Sequence, residues 1–248
     1  MEKYKNQLSG IGIIIVFYLL QKFIVIVYQI YAKIVGLASM GLELSELNNI
    51  MMSVGAVIEM FFIASLIYFY RKPIRDTLSE VKSNLPKFFQ QLLMYFVLYL
   101  FLMWLIPTID MKLFSQYTGN LGSNEQAIQN IIRAKPNLLL FSSLALWGPI
   151  IEEYVFRYAI IGKLLSGINR YVAAIIATLI FCFIHIGFGQ LLNVEISYTI
   201  HLFLMYMPIS LTLNFIYAKE QNLLYPIIIH IINNTLSTIL AIAILFMI

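Results

Sequence analysis

Seven long apolar runs constrain this chain more than any other feature. A helix that crosses a bilayer needs roughly 20 mainly apolar residues. The stretches 10–31, 50–70, 88–106, 138–161, 171–188, 198–218 and 224–248 approach or exceed that length. Of the 248 residues 61% are hydrophobic and 11% charged. A soluble domain could not cover that much apolar surface with so few charges. The pattern predicts an all-α, polytopic transmembrane helix bundle with about seven spanning helices, forming one membrane-embedded unit over residues 1–248.

The connecting segments predict a cytoplasmic N-terminus and an outer C-terminus. With that orientation Lys3, Lys5, Arg71, Lys72, Arg75, Lys82, Lys87, Lys163, Arg170 and Lys219 lie inside, against Lys33, Lys112, Arg133 and Lys135 outside. The net charge of +4 is small. It reads as anchoring at the cytoplasmic face rather than as a nucleic-acid footprint, so no nucleic acid is expected. The run at 10–31 is too long for a signal-peptide core and is expected to be a retained first helix. The single cysteine, Cys182, leaves no partner for an intrachain disulfide. In the second outer loop, 108–137, Ser123 and Gln126 make a capping box. Ala127, Ile128, Ile131 and Ile132 then form an apolar stripe, which suits a short surface helix or an ordinary structured loop.

Ionisable groups inside spanning helices cost about 2.5–3.5 kcal/mol each on insertion scales, so their positions are informative. They are Lys22, Glu59, Glu152, Glu153, Arg157, His185, His201 and His230. Lys22 and Glu59 lie at matching depths and are expected to pair between the first two helices. His201 has no motif-type partner one turn away, with Ser197 four positions before it and Met205 four after, and is expected outside the reactive set, at an interface or in an interhelical hydrogen bond.

In the fourth run Pro149 removes a helical donor just before Glu152 and Glu153, freeing backbone carbonyls there. Glu153 and Arg157 are four apart and can pair on one face. Glu152 points about 100° away and is left for chemistry. Phe181 precedes His185 by one turn, and His230 precedes Asn234 by one turn. A carboxylate, two imidazoles and a carboxamide can bind a water, remove its proton and steady an oxyanion. Two histidines and a carboxylate can equally bind zinc. The same groups could also serve as interhelical hydrogen bonds that hold the bundle together.

The three motifs, Glu152-Glu153-x-x-x-Arg157, Phe181-x-x-x-His185 and His230-x-x-x-Asn234, occur in order on separate apolar runs. With Pro149 and the approach Asn222-Leu223-x-x-Pro226-Ile227, they resemble the CAAX-protease and bacteriocin-processing (Abi) family of intramembrane peptidases. The resemblance covers about 148–237. It implies a family core at about 138–248 behind accessory helices at 10–106. It also implies that Glu152 and His185 activate water, that His230 and Asn234 stabilise the oxyanion, and that Glu153, Arg157 and Phe181 support the site. No cofactor is then required. If zinc is bound, its ligands would be Glu152, His185 and His230. The substrate class implied is a hydrophobic peptide or membrane protein: a CAAX-type C-terminus, a bacteriocin precursor or a signalling peptide. The location implied is a multi-pass place in a cell membrane, expected to be the bacterial cytoplasmic membrane. The chain departs from the family at Tyr158, where glycine is usual, and at Met205, Met207 and Pro208 in the sixth run.

Other intramembrane proteases are excluded by residues. The chain has no H-E-x-x-H and no G-x-S-x-G before a histidine-bearing run, and Asp76 and Asp110 are placed in loops. A transporter would show paired broken helices in two related halves, which are not seen. The alternative to a peptidase is a catalytically idle scaffold that regulates another membrane protein.

Overall fold

The computed structural model describes residues 2–38, 44–117, 138–186 and 195–247, with isolated residues between 117 and 138. Regular structure among the described residues is entirely helical. The helices are α1 (Glu2–Ala38), α2 (Leu44–Phe69), α3 (Arg71–Ser83), α4 (Leu85–Leu113), α5 (Leu138–Leu164), α6 (Arg170–Ile186), α7 (Ile196–Glu220) and α8 (Leu224–Met247). The all-α expectation holds, and each apolar run coincides closely with one helix.

Among the described residues Leu85–Leu113, Leu138–Leu164, Ile196–Glu220 and Leu224–Ile244 are long enough to cross a bilayer. A fifth is counted if Ser53–Phe69 and Ile74–Ser83, bent by 77°, act as one. Helix α6 is described over 17 residues, Arg170–Ile186, and α1 is apolar over Tyr4–Leu20 within its 37 residues. The chain is a multi-pass membrane protein.

Two loop expectations are corrected. Residues between the second and third runs form α3, whose charges sit on one side while Ile74 and Val81 pack against the cores. The third span also continues through Asp110 to Leu113, with Thr108 bonding back to the Trp104 carbonyl at 2.6 Å. Its start is set by Asn84, whose side chain accepts from the Lys87 amide at 3.3 Å. The surface helix expected around Ser123 and Ala127 lies mostly outside the described residues.

Helix α5 is central. Ile151, Tyr154, Val155, Phe156 and Ile160 are buried against Phe62 and Leu66 of α2, Ala173, Ala177 and Phe181 of α6, and Tyr217 of α7. Helix α1 approaches α5 closely at Gly10, where a Cβ would meet the Ala159 carbonyl at 2.8 Å. Helices α6 and α7 meet through small and polar groups. Ala173, Ala177 and Ala218 are fully buried, and Asn214 donates to Thr178 at 2.9 Å. Bilayers offer no hydrophobic drive between helices, so close approach and hydrogen bonds hold such pairs. A second cluster joins Tyr95 and Tyr99 of α4 to Leu213 and Ile216 of α7 and Ile229 of α8.

Candidate active site

The site begins with a break in the hydrogen-bond register of α5. Residues Ser143–Trp147 are π-helical, and the Gly148 amide donates to the Ser143 carbonyl five residues back. In that register the next donor, residue 149, would serve the Leu144 carbonyl. Pro149 has no N–H. The Leu144 carbonyl is therefore left over, and it accepts instead from Asn234 Nδ2 at 3.1 Å. The proline was expected to free a carbonyl near the acids, and its partner is a residue of the third motif.

One turn on, the two glutamates separate. Glu153 and Arg157 are both wholly buried and form an ion pair at 2.9 Å. The same carboxylate oxygen, Oε1, lies 2.6 Å from His230 Nδ1. The Arg157 guanidinium also lies 5.5 Å from the centre of the Phe181 ring. Glu152 takes the other direction. Its Oε2 stands 3.9 Å from His185 Nε2 and 3.8 Å from His230 Nε2. Of these three side chains Glu152 is the most accessible, at 28% against 14% for His185 and 5% for His230. The cluster is open on the Glu152 side.

The F-x-x-x-H spacing has a physical role. His185 Nδ1 lies 2.9 Å from the Phe181 carbonyl, and the two rings stack at 3.9 Å. A carbonyl only accepts, so Nδ1 carries the proton and Nε2 turns a lone pair toward Glu152. His230 is held likewise by the Glu153 carboxylate. Glu152 Oε2 and the two Nε2 atoms thus converge at separations too long for direct hydrogen bonds and suited to one bridging water.

A tetrahedral zinc with ligands at about 2.0–2.1 Å needs donors roughly 3.3–3.4 Å apart. Glu152 lies 3.8–3.9 Å from both imidazoles. No group of three or more His, Cys, Asp or Glu side chains is arranged to hold a metal among the described residues. These separations are wider than those of a closed zinc site.

The structure brings Glu152, His185 and His230 together, with Glu153, Arg157 and Phe181 beneath them, while Asn234 lies one turn beyond His230 and donates to the Leu144 carbonyl. Three further groups at this site escaped the sequence reading. Ser143 donates to Glu59 of α2. Asn233 donates from Nδ2 to Asn234 Oδ1 at 2.9 Å, and the Tyr99 hydroxyl of α4 donates to Asn233 Oδ1. A second carboxamide beside Asn234, inside an apolar run, was the available signal for this last pair.

The Lys22–Glu59 pairing is not formed. No ion pair joins them among the described residues: Glu59 is engaged by Ser143, and Lys22 lies 5.4 Å from the centre of the Tyr18 ring. Ile14, Phe17 and Leu20 turn toward the core. Lys22 falls on the exposed side of the same helix. His201 stands apart from the reactive set, buried and bonded through Nδ1 to Asp110 at 2.8 Å. This is the interhelical hydrogen bond expected, but its partner was placed in a loop. Asp110 lies on α4, and Asp76 on α3, so neither aspartate is in a loop. They form no aspartyl pair: Asp76 is exposed beside Arg75, and Asp110 is taken by His201.

Residues 134–236 match the family model described as Type II CAAX prenyl endopeptidase Rce1-like. That stretch takes in all three motifs, from Glu152 to Asn234. The chain is 31% identical over 150 residues to "Putative membrane peptidase YdiL" of Bacillus subtilis (strain 168), covering 56% of each chain. It is 34% identical over 117 residues to "Membrane-embedded CAAX protease MroQ" of Staphylococcus aureus (strain USA300), covering 45% of this chain and 42% of that one. It is 33% identical over 133 residues to "UPF0177 protein YajF" of Lactococcus lactis, covering 50% and 58%. The chain thus spans about half the length of the curated relatives it matches. No solved structure matches.

Proposed function

We propose that this chain is an intramembrane endopeptidase that hydrolyses a peptide bond in a hydrophobic or membrane-associated peptide of the bacterial cytoplasmic membrane. The observation that carries the reading is the placement of Glu152 Oε2 3.9 Å from His185 Nε2 and 3.8 Å from His230 Nε2, on the accessible side of a buried ionic cluster. The family-model match over residues 134–236 and the similarity to named membrane peptidases support it.

The groups divide the work as follows. Glu152 and His185 bind a water, and Glu152 takes its proton as the oxygen attacks the scissile carbonyl. His230 donates from Nε2 to the resulting oxyanion, and Asn234 donates its free Nδ2 proton. For that, His230 works with both nitrogens protonated. Its charge then balances the set: Glu152 and Glu153 carry two negative charges, Arg157 and His230 two positive ones. A neutral sum lowers the cost of keeping four ionised groups in an apolar bundle. Collapse of the intermediate breaks the C–N bond, and Glu152 returns the proton to the leaving amine. No step needs a metal.

The test is cleavage of a library of hydrophobic peptides by the purified protein in detergent, followed by mass spectrometry. The wild type is expected to yield fragments that Glu152→Ala does not. Fragmentation at wild-type rate by Glu152→Ala would overturn the mechanism, and no fragmentation by either would overturn the activity.

A further inference from the structure

An oxyanion donor made from asparagine carries an ambiguity that a histidine or backbone amide does not. One end of a carboxamide donates and the other accepts, and a half-turn about the last bond exchanges them. Only the orientation that presents Nδ2 to the reacting centre helps an oxyanion; the other repels it. The neighbourhood of Asn234 settles which end faces where.

We propose that Tyr99 and Asn233 are positioning residues that lock the carboxamide of Asn234 in its donating orientation. The polarity can be followed from one fixed point. The Leu144 carbonyl is an acceptor with no alternative role, left without its helical donor by Pro149. The atom facing it at 3.1 Å must therefore be Asn234 Nδ2. Asn234 Oδ1 then points the other way, and only a donor can meet it. Asn233 Nδ2 does so at 2.9 Å. That in turn leaves Asn233 Oδ1 requiring a donor, which the buried Tyr99 hydroxyl supplies.

Carbonyl, carboxamide, carboxamide and hydroxyl form one directed chain, and reversing any member sets acceptor against acceptor. One Nδ2 proton of Asn234 is spent on Leu144, and the other stays available. Tyr99 belongs to α4, outside the matched stretch 134–236. An accessory helix thus completes the oxyanion side of the site. The inference rests on the peptidase reading for its consequence, but the orientation itself can be measured without turnover.

The kinetic test is a double-mutant cycle. Tyr99→Phe removes the terminal donor and keeps the ring, and is expected to lower kcat roughly tenfold with KM unchanged, a fraction of the 10²–10³-fold lost with a whole oxyanion donor. Asn233→Asp faces a carboxylate against Asn234 Oδ1 and should cost more, while Asn233→Gln should recover part of the loss. In an Asn234→Ala background Tyr99→Phe should change kcat by less than about twofold, because the group it positions is gone. A merely structural role would give the same loss in both backgrounds, and that additivity would overturn the proposal. The second readout needs no substrate: hydrogen exchange of the Asn234 side-chain amide in protein labelled with 15N-asparagine. Tyr99→Phe is expected to speed it several-fold, and an unchanged rate would overturn the proposal. A protein that cleaves nothing but shows the faster exchange would refute the peptidase reading alone.

Discussion

His230 Nδ1 lies 2.6 Å from Oε1 of Glu153, the oxygen that Arg157 also contacts from within its own helix. One buried carboxylate thereby ties the last motif to the first. It aims the opposite imidazole nitrogen at Glu152 and compensates a guanidinium that has no access to water.

Glu153→Ala should therefore damage both stability and rate. It leaves Arg157 as an uncompensated buried cation, and breaking such a pair costs about 3–5 kcal/mol. Thermal unfolding in detergent is expected to shift down by several degrees, and Arg157→Ala should match it. Glu152→Gln, by contrast, removes no buried partner and should unfold at the wild-type temperature while losing turnover.

The catalytic groups should separate by severity. Glu152→Ala and His185→Ala are expected to abolish cleavage because they remove the groups that activate water. Asn234→Ala removes one oxyanion donor and should retain a measurable rate, about 10²–10³-fold below wild type, with little change in KM. Steady-state kinetics on a single cleavable peptide reads the difference. A loss in KM alone would place Asn234 in substrate binding.

Chelation provides a separate check. The proposed mechanism uses no metal, so prolonged incubation with a strong chelator should leave cleavage at the untreated rate. A loss restored by added zinc would assign Glu152, His185 and His230 as ligands instead.

Asp110 and His201 form a second buried acid–imidazole pair, joining the end of α4 to the start of α7. Asp110→Ala is expected to lower the unfolding temperature, since it strips a buried histidine of its partner. Cleavage per folded molecule should stay within about twofold of wild type. Abolished cleavage in a folded His201→Ala protein would move this pair into the reactive machinery.

Much of this was legible from spacing alone. An i, i+4 spacing puts two side chains on one face of a helix, so Glu153 with Arg157 and Phe181 with His185 could be paired on paper, and the first pair forms although Tyr154–Leu164 is π-helical. The Lys22–Glu59 pairing failed because matching depth says nothing about rotation. Each helix turned the residue in question toward a different neighbour. Helix α3 was missed because its charges read as a loop, although Ile74, Leu78 and Val81 recur at helical spacing and two of them pack inward. The third span runs beyond its expected end at 106 and carries Asp110, which was placed in a loop. His201, 91 positions further along, makes its burial tolerable.

What the sequence determined by itself follows from local geometry and solvation. Apolar run lengths dictate helices in a bilayer, costly polar residues mark the site, and the missing N–H of Pro149 opens a carbonyl beside it. What only the tertiary structure decided is which distant groups answer these local demands. Glu153 found His230 as well as Arg157, the Leu144 carbonyl found Asn234, and Asn233 found Tyr99. Those choices depend on the depth and rotation of α4, α5 and α8 against one another. Packing across the whole bundle sets these, and no spacing along one helix encodes them.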